Sequence, residues 1–149
     1  MRARLLFVNL LLLLGLVPGF AQDTLSREYN LLMQIRGREM TAICVMEVQP
    51  DRHIVGTVVN EFGVKAFDFS FDGDKAKVFN VIGPLDKWYI RKVLRGDFSF
   101  ILSNIESQKD AVKKKRRMTI LPNGDINVSN DRYNIHYTFT PMTSHEADQ

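Results

Sequence analysis

Cysteine is the scarcest useful residue here: Cys44 is the only one in 149 residues, so no internal disulfide can form and the chain is not a stapled secreted mini-domain. Cys44 lies within an apolar run, where a thiol acts as a small buried hydrophobe. Histidine is nearly as rare. His53, His136 and His145 fall in no H-E-x-x-H or cysteine-rich ligand spacing, so no metal site and no cofactor is expected. No serine sits in a nucleophile elbow, and His136 falls on the polar side of a strand pattern, as a solvated histidine does. Asp68, Asp72 and Asp74 lack the closing glutamate of a calcium loop, and Asp72-Gly73-Asp74 reads as a hairpin tip. Beyond the N-terminus no stretch approaches the roughly 20 apolar residues of a membrane span. Repeats, linkers and low-complexity segments are also missing. These absences leave a single non-enzymatic domain as the expectation.

The N-terminus carries the one long apolar run. Arg2 and Arg4 precede Leu5–Val17, then Pro18 and Gly19-Phe20-Ala21, which is the pattern of a secretory signal peptide cut after Ala21. Thirteen residues at 1.5 Å rise cover about 20 Å of a roughly 30 Å hydrocarbon layer, too short for an anchor. Gln22 stands where a lipid-accepting cysteine would follow the cut, so the product is expected to be exported to the periplasm without lipidation. Losing Arg2 and Arg4 lowers the formal charge of +3 by two, which removes any general case for nucleic-acid binding. Residues 22–149 form one domain in this reading, with a frayed tail over 140–149. Asn127-Val128-Ser129 is a glycosylation sequon only where the host glycosylates exported chains.

Hydrophobic period predicts a short first helix, from cap-type residues at Asp23–Ser26 through Tyr29, Leu32, Met33 and Arg36 to Gly37. From Glu39 the period shortens to two. Strands are predicted over 40–48, 53–62, 64–71 and 77–81, with turns at Gln49–Arg52, Gly63 and Asp72–Asp74. Gly56 leaves room for a bend or bulge. Short connections make this an antiparallel meander. Leu85, Trp88, Tyr89 and Val93 then mark one helix that Gly96 stops, and Asp97 caps a second carrying Phe98, Ile101, Leu102 and Ile105. Strands return over 112–121, 126–129 and 133–140, with Asn123-Gly124 as a hairpin signal. The fold class expected is α+β: a curved antiparallel sheet with an N-terminal helix and a two-helix insertion as its cover.

Two features carry possible chemistry. Phe67, Phe69 and Phe71 occupy alternate positions, hence one side of a strand. Such a row is plain core, the wall of an apolar pocket, or a patch for another protein. The supply of rings decides how much cover is needed: Phe62, Phe79, Tyr133, Tyr137 and Phe139 join the row, against only two short helices. A cavity is therefore expected, with candidate lining residues Val58, Phe62, Phe67, Phe69, Phe71, Phe79, Trp88, Tyr89 and Tyr137. The second feature is the run Lys113, Lys114, Lys115, Arg116 and Arg117, read within one strand. It is either a solvated edge that resists aggregation or a site for anionic headgroups or an acidic partner.

The order of elements, with GTVVNEFGVKAFDFSFDGDKAKVFNV at 56–81 and TILPNGDINVSNDRYNIHYTF at 119–139, resembles the LolA/LolB-like lipoprotein-carrier superfamily. That resemblance covers the mature chain at the level of topology. It implies a half-barrel whose apolar face and helical lid hold acyl chains, with Phe67, Phe69, Phe71 and Trp88 at the cavity and Lys113–Arg117 at the headgroup. The function expected is binding of a lipid or lipoprotein acyl chain, in lipoprotein trafficking to the outer membrane, with contact to a membrane surface. The alternative is an envelope interaction module with a self-filled core, whose partner is another envelope protein.

Overall fold

The computed structural model describes residues 24–142. The signal peptide expected at 1–21 lies outside the described residues, and of the tail expected to fray over 140–149 only 140–142 are described, with Thr140 and Pro141 registered against Asn30 and Tyr29. Nine strands form one antiparallel sheet: β1 (Leu25–Ile35), β2 (Arg38–Val48), β3 (Ile54–Asn60), β4 (Lys65–Phe71), β5 (Ala76–Phe79), β6 (Ala111–Lys113), β7 (Arg116–Ile120), β8 (Ile126–Asn130) and β9 (Ile135–Pro141). A single α-helix, α1 (Trp88–Asn104), connects β5 to β6, entered through a 3-10 turn at Gly83–Leu85 and left through another at Ile105–Ser107. The spatial order β5-β4-β3-β2-β1-β9-β8-β7-β6 leaves β5 and β6 as unjoined edges, so the sheet is open.

This architecture corrects the expected fold class at two places. The predicted N-terminal helix is strand β1, paired with β2 from Leu25↔Val48 to Ile35↔Arg38 and with β9 on its other side. Tyr29, Leu31 and Met33 are buried, a period of two that outweighs the helical spacing of Leu32 and Arg36. Arg36 and Gly37, with φ of 50° and 80°, make the two-residue hairpin that a β1–β2 pair needs. The two-helix insertion is one continuous helix through Gly96 and Asp97. Among the described residues the result is a mostly β architecture with one α-helix, in place of an α+β half-barrel with three.

The sheet curls around α1. Ser99 Oγ accepts from the Ala76 amide of β5 at 2.9 Å, while two residues earlier Asp97 Oδ1 accepts from Arg116 Nε of β7 at 2.8 Å. Those strands are seven ladder steps apart, about 34 Å in a flat sheet at ~4.8 Å per strand. Only strong curvature brings both to one turn of a helix. Part of that bending is local. Ala66 is an extra residue where the β3–β4 register shifts, so Ala66 and Phe67 are buried in succession. Gly56 faces Phe69 across the same pair, and a Cβ there would lie 2.3 Å from Phe69 Cζ. The room expected at Gly56 for a bend or bulge is taken by that ring, and the bulge itself falls opposite Val58 and Val59.

Candidate functional site

The phenylalanine row is core. Phe67 and Phe69 have no exposed surface and Phe71 has almost none. Phe98 of α1 fills the space above them, with ring centroids 5.2 Å from Phe67 and 5.1 Å from Phe69. Leu94, Phe100, Ile101, Leu102 and Ile105 bury the rest of that half of the helix, and Val58, Tyr29 and Phe139 close the cluster from below. Over its last three turns α1 is sealed onto the sheet.

The seal is fixed by a buried carboxylate. Asp97 is 1% exposed and takes three bonds from three strands: Arg116 Nε on β7 at 2.8 Å, Asn130 Nδ2 on β8 at 2.7 Å, and the Tyr137 hydroxyl on β9 at 2.5 Å. Gly96 makes the approach feasible, because a Cβ there would stand 2.5 Å from Arg116 Nη2. The pair Gly96-Asp97 that reads as a helix stop in sequence is therefore the point where the helix is bolted down. Burial raises the Tyr137 hydroxyl well above its ordinary range, and the Asp97 charge and hydrogen bond push it further. Such a satisfied network specifies one docking of α1, since stripping one member from a buried ion pair costs about 3–5 kcal/mol.

Toward its N-terminus the helix packs less closely, with Leu85, Ile90 and Val93 only half-buried against the core. A cleft of about 390 Å³ opens between Leu85, Trp88, Tyr89, Ile90 and Val93 on the helix side and Ile35, Tyr133, Ile135 and Tyr137 on the sheet side. Trp88 is 71% exposed and Tyr89 48%, edge to face with centroids 5.9 Å apart. Arg36 and Lys92 stand at the rim. Lys92 also borders two neighbouring grooves. One runs along Lys114, Lys115, Arg116 and Arg132; the other along Lys77, Phe79, Trp88, Arg91 and Arg95. No acid lines any of the three. Among the described residues no group of three His, Cys, Asp or Glu side chains is placed to hold a metal ion.

The sequence-predicted residues are thus dispersed. Val58, Phe67, Phe69 and Phe71 are sealed core; Trp88, Tyr89 and Tyr137 line the cleft; Phe79 borders the outer groove. Phe62 sits on the β3–β4 turn, 82% exposed and away from the cleft. The basic run is not one strand. Lys114 and Lys115 form the two-residue β6–β7 turn, with Lys113 paired to Arg116 and φ of 56° at Lys114. Arg116 turns inward to Asp97, while Arg117 borders a groove with Gln34, Asn127 and His136 on the other side of the sheet. Only Lys114, Lys115 and Arg116 of the five border the groove next to the cleft.

Sequence reasoning missed Asp97, Asn130, Lys92 and Arg132. Asp97 left a signal, a lone carboxylate inside the 94-98-101-105 apolar stripe, where a buried polar group demands partners. Lys92 and Arg132 left none, since a surface cation is unremarkable until its neighbours are known. Comparison of the chain with protein-family models and with curated proteins finds no match.

Proposed function

We propose that this is an exported, non-enzymatic binding protein for a single-tailed anionic amphiphile, such as a fatty acid, a lysophospholipid or one acyl chain of a lipoprotein. One observation carries the reading: an apolar cleft, floored by Ile135 and Tyr137, opens directly beside cations that have no acid among them. Its volume of about 390 Å³ falls within the roughly 300–1,000 Å³ of small-molecule sites. A tail laid there contributes about 0.8 kcal/mol per buried methylene. The head lies over Lys92, Lys114, Lys115 and Arg132. The resemblance of residues 56–81 and 119–139 to lipoprotein carriers supports the same ligand class, acyl chains, and a role in envelope lipid or lipoprotein traffic. Here the tail would use the open end of the helix, because Phe98 already occupies the place above the phenylalanine row.

That filled row also favours a second reading, an interaction module that takes no ligand. Displacement of a fluorescent fatty acid by lauric acid and by lysophosphatidylglycerol separates the two. Expected for the binder are saturable displacement by both competitors and at least about tenfold weaker probe binding in Val93→Asp, a charge placed against the tail. Val93 packs half-buried on the core, so some stability is lost with it, and circular dichroism should show the variant still folded at the assay temperature. Native mass spectrometry showing bare protein, together with no saturable probe binding, would establish the module instead.

A further inference from the structure

Outside the cleft, the first turns of α1 present a second surface. Trp88 and, on β5, Phe79 stand in one groove with Lys77, Arg91, Lys92 and Arg95. Phe79 is 45% exposed, and Trp88 is more exposed still. Arg91 keeps an ion pair with Asp86 at 3.3 Å, itself half in solvent, and the groove's remaining cations have no salt-bridge partner among the described residues. Such a surface combines two unfavourable exposures: large rings in water and like charges crowded together.

We infer that this surface docks the protein on an anionic lipid bilayer, with Trp88 at the headgroup level and Lys77, Arg91, Lys92 and Arg95 against the lipid phosphates. Indole and phenol rings favour the boundary between headgroup and acyl chain, where the ring is apolar and its N–H or O–H stays wet. Each cation near an anionic leaflet tightens binding about fivefold. Long arginine and lysine side chains can lay their stems along the rings while their heads reach the phosphates. The other exposed apolar residues offer less of this combination: Ile43 and Val55 on β2 and β3 lie among Thr41 and Glu47, Phe62 and Val64 have Lys65 beside them but it pairs with Asp68, and Val112 next to Lys113 and Arg117 brings no ring. Charge complementarity therefore selects an anionic surface, and the exposed Trp88 indole selects a bilayer over an acidic protein. Docked this way, the mouth of the cleft, which shares Trp88 and Lys92 with the groove, faces the lipid.

The test uses the exported, processed protein and unilamellar vesicles. It should float with vesicles rich in phosphatidylglycerol and not with phosphatidylcholine alone, and release as salt shortens the screening length. Trp88 is the chain's only tryptophan, so its emission reports this face directly and should shift to the blue on binding. Lys77→Glu/Arg91→Glu/Arg95→Glu should weaken flotation by about a hundredfold or more with an unchanged melting temperature. None of those three lines the cleft, so fatty-acid displacement should persist in the triple variant. Flotation failing at low salt, flotation equal in the triple variant, or flotation without movement of the Trp88 emission would each overturn the docking surface while leaving the cleft reading to its own assay. Retention on an immobilised acidic polypeptide in place of vesicles would assign the groove to an acidic protein.

Discussion

The two halves of α1 differ more from each other than the helix differs from the sheet. From Leu94 to Asn104 the helix is tied into the core: Phe98 plugs the phenylalanine row, and Asp97 holds β7, β8 and β9. From Trp88 to Val93 no residue is fully buried, and the side chains border open grooves. Continuous helical hydrogen bonding joins the two halves, so the free half keeps its geometry through the anchored one. Rings and cations can then stay exposed at fixed positions without the helix depending on them. One half of the element holds the fold, and the other is left for a ligand or a surface.

The comparison is broken most directly at Phe98. Its ring touches Phe67, Phe69 and Tyr137 and has no solvent exposure. Phe98→Ala should cost about 3–5 kcal/mol, transfer energy plus the cavity left above the row. Urea unfolding followed by circular dichroism measures it. A loss below about 1 kcal/mol would mean that the sheet closes without the helix, and the division between anchored and free halves would fall.

A smaller effect sharpens the same division by pH. Cys44 and Tyr29 face each other across β1 and β2 near the helix's C-terminal end, where Arg27 pairs with Glu106 at 3.5 Å. Burial pushes the Cys44 thiol from 9.0 to about 12. Burial first, then the Glu106 charge, pushes the Tyr29 hydroxyl from 10.0 to about 12. Below pH 9 both groups are protonated in the folded and the unfolded chain, so neither makes stability depend on pH. Above each unfolded value the unfolded chain releases a proton that the folded chain retains. Stability then falls with rising pH, by about 1.4 kcal/mol per unit per group. The urea midpoint should hold steady from pH 7 to 9, drop from 9 as Cys44 contributes, and steepen above 10 as Tyr29 and Tyr137 join. Cys44→Ala should flatten the segment from 9 to 10 and lower the slope above it. A midpoint unchanged up to pH 12 would show that water reaches this end of the core.

Legibility in the sequence followed the same line between closed and open parts. Strands β2 to β5, β8 and β9 could be read because each alternates over much of its length and ends in turn chemistry that the structure retains: Asp72 Oδ1 accepts from the Asp74 and Lys75 amides, and Gly124 has φ of 91°. β1 was misread because Leu32 and Arg36 fit a helical spacing, although Arg36-Gly37 carried the hairpin that outranked it. Gly96-Asp97 was misread because glycine and aspartate end helices when considered locally. Here each is explained by an atom of Arg116, nineteen or more residues away. The basic run was misread for a similar reason, since nothing local shows that Lys114-Lys115 is a turn. As for the site, Trp88, Tyr89 and Tyr137 were legible as rings, but the cleft is a gap between elements, and a gap has no sequence of its own.

The smallest expected effect concerns the free half. Trp88 is mostly in solvent, and the ring it packs edge to face with, Tyr89, is itself half exposed. Trp88→Ala should therefore change stability by less than about 0.5 kcal/mol, although it removes the largest side chain of the helix. Affinity for a fatty-acid probe should nonetheless fall roughly three- to tenfold, because the indole borders the cleft and supplies part of the area that a bound tail would cover. The contrast with Phe98→Ala is what matters: two aromatic deletions ten residues apart on one helix, one read in the urea midpoint and the other in binding. A stability loss of about 2 kcal/mol or more in Trp88→Ala would show that the indole holds the helix end against the sheet. The exposed end would then belong to the fold, and its rings and cations would no longer need a ligand or a membrane to account for them.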